Sequence, residues 1–93
     1  MQIEVKFYSL FKINLKSSGV KYDIVETITL LELIDKLDKD FEGYFSEKLL
    51  EDGDIKTGSI ILLNGINVLH INHLETEIND GDIVTLFPPS AGG

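Results

Sequence analysis

The sequence predicts an α+β domain, a β-sheet with one main helix lying across one of its faces. Three stretches carry that expectation. Residues 2–8 alternate strictly between apolar and polar side chains. Residues 29–41 repeat apolar side chains at helical steps behind a capping motif, and residues 82–87 make a further strand-like run near the C-terminus. At 93 residues the chain has the length of one domain, small but sufficient for a single core.

In chain order, Gln2-Ile3-Glu4-Val5-Lys6-Phe7-Tyr8 sets Ile3, Val5 and Phe7 on one face and Glu4 and Lys6 on the other, the pattern of a half-buried strand. Ser9 to Lys16 is apolar at Leu10, Phe11, Ile13 and Leu15 without a clean period, and reads as a loop or a short turn of helix. Ser17-Ser18-Gly19 is turn chemistry. Lys21-Tyr22-Asp23-Ile24-Val25 is the expected return strand of an N-terminal hairpin, with Tyr22 and Ile24 on one face.

Thr29-Leu30-Leu31-Glu32 is a capping box, in which the Thr29 hydroxyl accepts from the Glu32 N–H and the Glu32 carboxylate reaches back. Leu30, Leu33, Ile34, Leu37 and Phe41 follow as one apolar stripe, with Asp35, Lys36, Asp38 and Lys39 turned to water. In residues 42–59, Phe45, Leu49 and Leu50 suggest a second short helix. Glu51-Asp52-Gly53-Asp54 and Thr57-Gly58-Ser59 mark turns there, and the acidic cluster lacks the ligand alternation of a calcium loop. Ser59-Ile60-Ile61-Leu62-Leu63 reads as a central strand covered on both faces or nearly so. Asn64-Gly65 is a strong hairpin signal, making Asn67-Val68-Leu69-His70 the partner strand. Leu74 to Ile78 is a short connection with room for one 3₁₀ turn, and Asn79-Asp80-Gly81-Asp82 turns the chain into its last strand.

Composition narrows the function. A formal net charge of −8 speaks against nucleic-acid binding, which needs Lys and Arg on phosphates, and suits partners with basic docking surfaces. The absence of cysteine removes disulfides, a cysteine nucleophile and Cys-type metal sites. His70 and His73 fall on a strand-to-loop segment and read as ordinary histidines rather than metal ligands. No apolar run reaches membrane-spanning length and no signal-peptide core opens the chain, so a cytoplasmic location is expected.

The most informative stretch is Phe87-Pro88-Pro89-Ser90-Ala91-Gly92-Gly93. Two prolines stop sheet pairing and favour an extended exit. Small residues and a diglycine follow, an ending that chance alone gives about once in 200 chains at the usual glycine frequency. A terminal carboxylate, with a pKa near 3.5, is ionised at neutral pH and a poor electrophile until activated, for which an acyl-adenylate made with ATP serves. Residues without a Cβ make the end thin enough for a narrow channel. The division expected is therefore a folded domain over 1–87 and a flexible tail over 88–93.

From Asn79 to Gly93 the chain resembles the C-terminus of the MoaD/ThiS group of ubiquitin-like sulfur carriers, nearest the small subunit of molybdopterin synthase. The Asp-Gly-Asp turn, Phe-Pro-Pro and Ala-Gly-Gly match in order and spacing. The resemblance implies a β-grasp fold, a mixed sheet in which the last strand lies centrally beside the first. It implies no catalytic side chain and no bound cofactor. An E1-like partner would use ATP to adenylate Gly93, which becomes a thiocarboxylate and delivers sulfur inside the large synthase subunit to molybdopterin. Gly92, Ala91, Pro89 and Pro88 would give access, Phe87 would dock the partners, and Ile66 in the hairpin turn is a candidate neighbour. A protein modifier joined through Gly93 to lysines uses the same tail and remains the alternative.

Overall fold

Strict alternation over β1 (Gln2–Phe7) buries Ile3, Val5 and Phe7 and leaves the intervening positions outside the core. The computed structural model describes residues 1–89. After β1 a short helix, α1 (Leu10–Leu15), contributes Phe11 to the core, resolving the loop-or-helix expectation for that segment as helix. β2 (Gly19–Asp23) then returns antiparallel to β1, as the hairpin pattern predicts. Gly19 is required there. Its φ is +150°, and a Cβ would lie 2.2 Å from the Val5 carbonyl oxygen.

β3 (Ile28–Thr29) leads into α2 (Leu30–Phe41) through the expected capping box. The Glu32 N–H donates to Thr29 Oγ1 at 3.1 Å and the Thr29 N–H donates to Glu32 Oε1 at 3.0 Å. Such a cap is worth about 1 kcal/mol. Leu30, Leu33, Ile34 and Leu37 are fully buried, and half-buried Phe41 meets the Phe7 ring edge-on, 5.7 Å between centroids. Tyr22 ties β2 to this helix by donating to Asp40 Oδ2 at 2.5 Å. Burial first, then the hydrogen bond and charge of Asp40, push the phenol's pKa above its usual value.

A third helix, α3 (Tyr44–Leu49), meets the expectation of a short helix from Phe45 and Leu49, both buried. The following turn is itself a small hairpin, β4 (Leu50–Glu51) with β5 (Asp54–Ile55), closed by Asp52 and Gly53 at positive φ. β6 (Ile60–Leu63) lies inside the sheet but is not covered on both faces. Ile61 is buried, whereas Ile60 is 42% exposed and Leu62 half-buried, because helices cover one face only. The Asn64-Gly65 turn, both residues at positive φ, joins β6 to β7 (Ile66–Asn67). β7 is shorter than predicted. The Asn67 side chain accepts from the Leu69 N–H at 2.9 Å and caps a 3₁₀ turn over Val68–His70 instead of continuing the ladder. A second 3₁₀ turn, His73–Glu75, precedes β8 (Glu77–Ile78), which pairs with β3.

The last strand, β9 (Ile83–Phe87), completes the five-stranded sheet in the order β2-β1-β9-β6-β7. It runs parallel to β1 and antiparallel to β6. This is the β-grasp arrangement, with the final strand in the centre. Its start is held by side chains. Asp80 Oδ1 accepts from the Gln2 N–H at 2.7 Å, Asp82 Oδ2 from the Asn79 N–H at 2.7 Å, and Asn64 Oδ1 from the Ile83 N–H at 2.9 Å. Among the described residues no helix is long and apolar enough to cross a membrane.

Candidate functional site: the root of the C-terminal tail

β9 alternates as its sequence dictates. Val84 and Leu86 are buried under the helices, while Ile83, Thr85 and Phe87 point to the open face of the sheet. Phe87 therefore lies outside the core, at the sheet's end where the chain passes into Pro88. Its ring stacks on Tyr8, 5.2 Å between centroids and 19° between planes. Ile60 is its cross-strand partner on β6, and Leu62 flanks Thr85. Tyr8 and Ile60, both 42% exposed, thus join half-exposed Phe87 in one apolar patch on the uncovered face.

Ile66 does not join this patch. It pairs with Leu63, which pairs with Val84, so it sits three residues along the sheet from Phe87 and on the opposite face. Its side chain is 56% exposed. Sequence reading missed Tyr8 and Ile60 as companions of Phe87. The parity of the first strand carries the signal for Tyr8, which continues the Glu4–Lys6 side. The signal for Ile60 lies in register, which the apolar run alone does not reveal.

Pro88 and Pro89 are both half-buried. With Leu10 and Asn14 of α1, Tyr44 and Lys48 of α3, and Lys56, they line a cleft of about 240 Å³. A Cβ on Gly58 would sit 3.6 Å from the Pro89 Cβ, so this proline rests over the glycine. The Asn14 side-chain amide donates to the Tyr44 hydroxyl at 3.2 Å. Ala91, Gly92 and Gly93 lie outside the described residues. Among the described residues no three acidic or histidine side chains group to hold a metal, and His73 Nδ1 faces Asp54 Oδ1 at 3.7 Å.

A β-grasp domain whose central strand ends in a half-exposed aromatic at the root of a glycine-ended tail defines the small ubiquitin-like carriers, which present a chain end rather than a catalytic side chain. Comparison with known proteins gives the family. The model of the ThiS family matches residues 14–93, and the chain belongs to that family. It is 30% identical over 93 residues to "Small archaeal modifier protein 3" of Haloferax volcanii, with all of both chains covered. It is 36% identical over 86 residues to an Archaeoglobus fulgidus chain named "Putative sulfur carrier protein", covering 88% of this chain and 97% of that one. Among solved structures, a Haloferax volcanii protein determined in solution superimposes with a TM-score of 0.83 at 30% identity, covering 100% of this chain and 87% of that one. A Pyrococcus furiosus protein, "Putative molybdopterin converting factor, subunit 1", gives a TM-score of 0.74 at 25% identity, with 97% and 99% covered.

Proposed function

We propose that this chain is a cytoplasmic sulfur carrier that acts as the small subunit of molybdopterin synthase. The observation that carries the reading is the sequence Phe87-Pro88-Pro89-Ser90-Ala91-Gly92-Gly93 issuing from the central strand of the sheet. Family membership and the likeness to the Pyrococcus furiosus protein support it. In the proposed reaction an E1-like partner binds ATP and the Gly93 carboxylate attacks its α-phosphate, releasing pyrophosphate and leaving an acyl-adenylate. A persulfide then attacks the carbonyl and expels AMP, and a thiol cleaves the acyl disulfide so formed, releasing the thiocarboxylate and leaving the donor sulfur in a new disulfide. The large synthase subunit receives that tail, and its sulfur passes to the pterin precursor.

The chain itself contributes shape and position. Gly92 and Ala91 keep the reacting end narrow, Pro88 and Pro89 direct it away from the sheet, and Phe87 with Tyr8 and Ile60 forms the docking patch. Ile66, remote from that patch, would contact a partner only through a wider interface. Docking is needed because fixing a chain segment in a channel costs about 1–2 kcal/mol per residue, which a rigid patch must offset. Deleting Gly93 is expected to abolish thiocarboxylate formation, read as the mass change of one oxygen replaced by sulfur, with an unchanged melting curve. Loading of that deletion at the wild-type rate would refute the assignment.

The full-length similarity to a small archaeal modifier favours a second reading on its own account. There the activated Gly93 carbonyl is attacked by a lysine amine of a target protein, giving an isopeptide bond. Adducts of higher mass joined through Gly93 would mark that use.

A further inference from the structure

Two cations border the cleft at the tail's root, in a chain whose net charge is −8. Lys48 Nζ stands 5.7 Å over the Tyr44 ring. Lys56 Nζ donates to the Glu47 carbonyl at 3.1 Å, which leaves two of its three protons for another acceptor. Among the described residues neither lysine has a carboxylate within salt-bridge distance. Apart from Asn14, the walls between them are apolar. Leu10 is 39% exposed, the Tyr44 ring forms one side, and the two prolines form another.

We infer that this cleft receives an acidic segment of the adenylating enzyme, one apolar side chain filling the space between Leu10, Tyr44 and the prolines while adjacent carboxylates meet Lys48 and Lys56. Charge complementarity selects this occupant. An acidic carrier repels an acidic partner surface in general, so a local pair of lysines fixes where such a surface can approach. Location gives the contact its use. Proline fixes φ, so the wall made by Pro88 and Pro89 is already shaped before binding. A partner that fills the cleft clamps Pro88 and Pro89 and aims the tail from the helix side of the sheet. The patch around Phe87 is held from the other side. Lys48 and Lys56 are thus positioning residues for activation, acting on the approach of the tail and not on its chemistry.

The inference rests on the proposed activation of Gly93, and the test separates the two. Pyrophosphate exchange by the E1-like enzyme of the same organism is measured with the wild-type chain, with Lys48→Gln/Lys56→Gln and with Lys48→Glu/Lys56→Glu. The expected result is a KM for the carrier raised about tenfold or more by the glutamates and less by the glutamines, with kcat unchanged. Added salt should raise the wild-type KM and leave that of the glutamine variant nearly flat. Both substitutions lie on half-exposed side chains, and matching melting curves establish that the fold is intact. If charge reversal unfolds the domain, the glutamine variant and the salt series decide between the outcomes. Wild-type exchange with unchanged KM in the variants would overturn the cleft while leaving the activation reading in place. A kcat loss at constant KM would also overturn it, since it would give the lysines a role in chemistry. No exchange by the wild-type chain would remove the activation reading and, with it, this inference.

Discussion

The two faces of the sheet are built by the same strands and do opposite things. On the covered face β1 and β9 set Ile3, Val5, Phe7, Val84 and Leu86 against α2, all at 1% exposure or less. On the open face the alternate positions of those strands continue as Glu4, Lys6, Ile83, Thr85 and Phe87, with Tyr8 following β1 and, among the described residues, no helix above them. Period-two alternation thus lets one strand carry stability on one side and recognition on the other. Substitutions one residue apart in β9 should therefore separate folding from binding.

The largest effect on that comparison belongs to the covered face. Leu86→Ala removes a fully buried side chain from the central strand and should cost about 2–5 kcal/mol, read as a lower urea midpoint with little change in slope. Its neighbour gives the contrast. Phe87→Ala gives up the stacking on Tyr8, worth about 1 kcal/mol, but should raise the KM for adenylation by about tenfold, the scale of losing a central aromatic anchor. Equal stability losses at the two positions, with no kinetic change at Phe87, would break the division between the faces.

The smallest effect tests the edge of the covered face. Tyr22 has its folded pKa raised above its unfolded value near 10, chiefly by burial and then by Asp40. A raised pKa means that the folded state favours the neutral phenol. The associated stability is fully present below about pH 10 and is lost as the pH climbs from there toward the folded pKa. Because the ring is partly exposed, the loss should be modest. Tyr22→Phe should flatten the fall in melting temperature above about pH 10, and an unchanged slope would show that the Asp40 contact carries no linkage.

What was legible in the sequence divides along local and non-local lines. The capping box at Thr29 and the stripe from Leu30 to Phe41 predicted α2 correctly because cap and period lie within one helix. The Asn64-Gly65 turn was equally readable, since both residues adopt the positive φ that their types favour. The central place of β9 came from the resemblance of its flanking motifs and agrees with the observed order. The misreadings have physical causes. Ile60 to Leu63 looked doubly buried because an apolar run does not say which face a helix will cover, and here Ile60 serves the open patch. Asn67 ended β7 early by bonding its own side chain two residues ahead. The β4–β5 hairpin gave no period to read, being two residues per strand.

For the site, alternation along β9 buries Val84 and Leu86 and puts Phe87 outside the core. Tyr8 and Ile60 were not found because their meeting depends on the parallel and antiparallel registers on either side of β9. The cleft residues Leu10, Tyr44, Lys48 and Lys56 come from α1, α3 and the segment after β5, with no sequence period relating them to Pro88 and Pro89. Only the folded chain joins them.

The central claim is that this domain exists to present the carbonyl of Gly93, and the intact mass of the chain purified from its own source tests it most directly. A fraction whose mass reflects one oxygen exchanged for sulfur at Gly93 is the predicted result. Only unmodified chain, from cells that contain the adenylating enzyme and a sulfur donor, would contradict it.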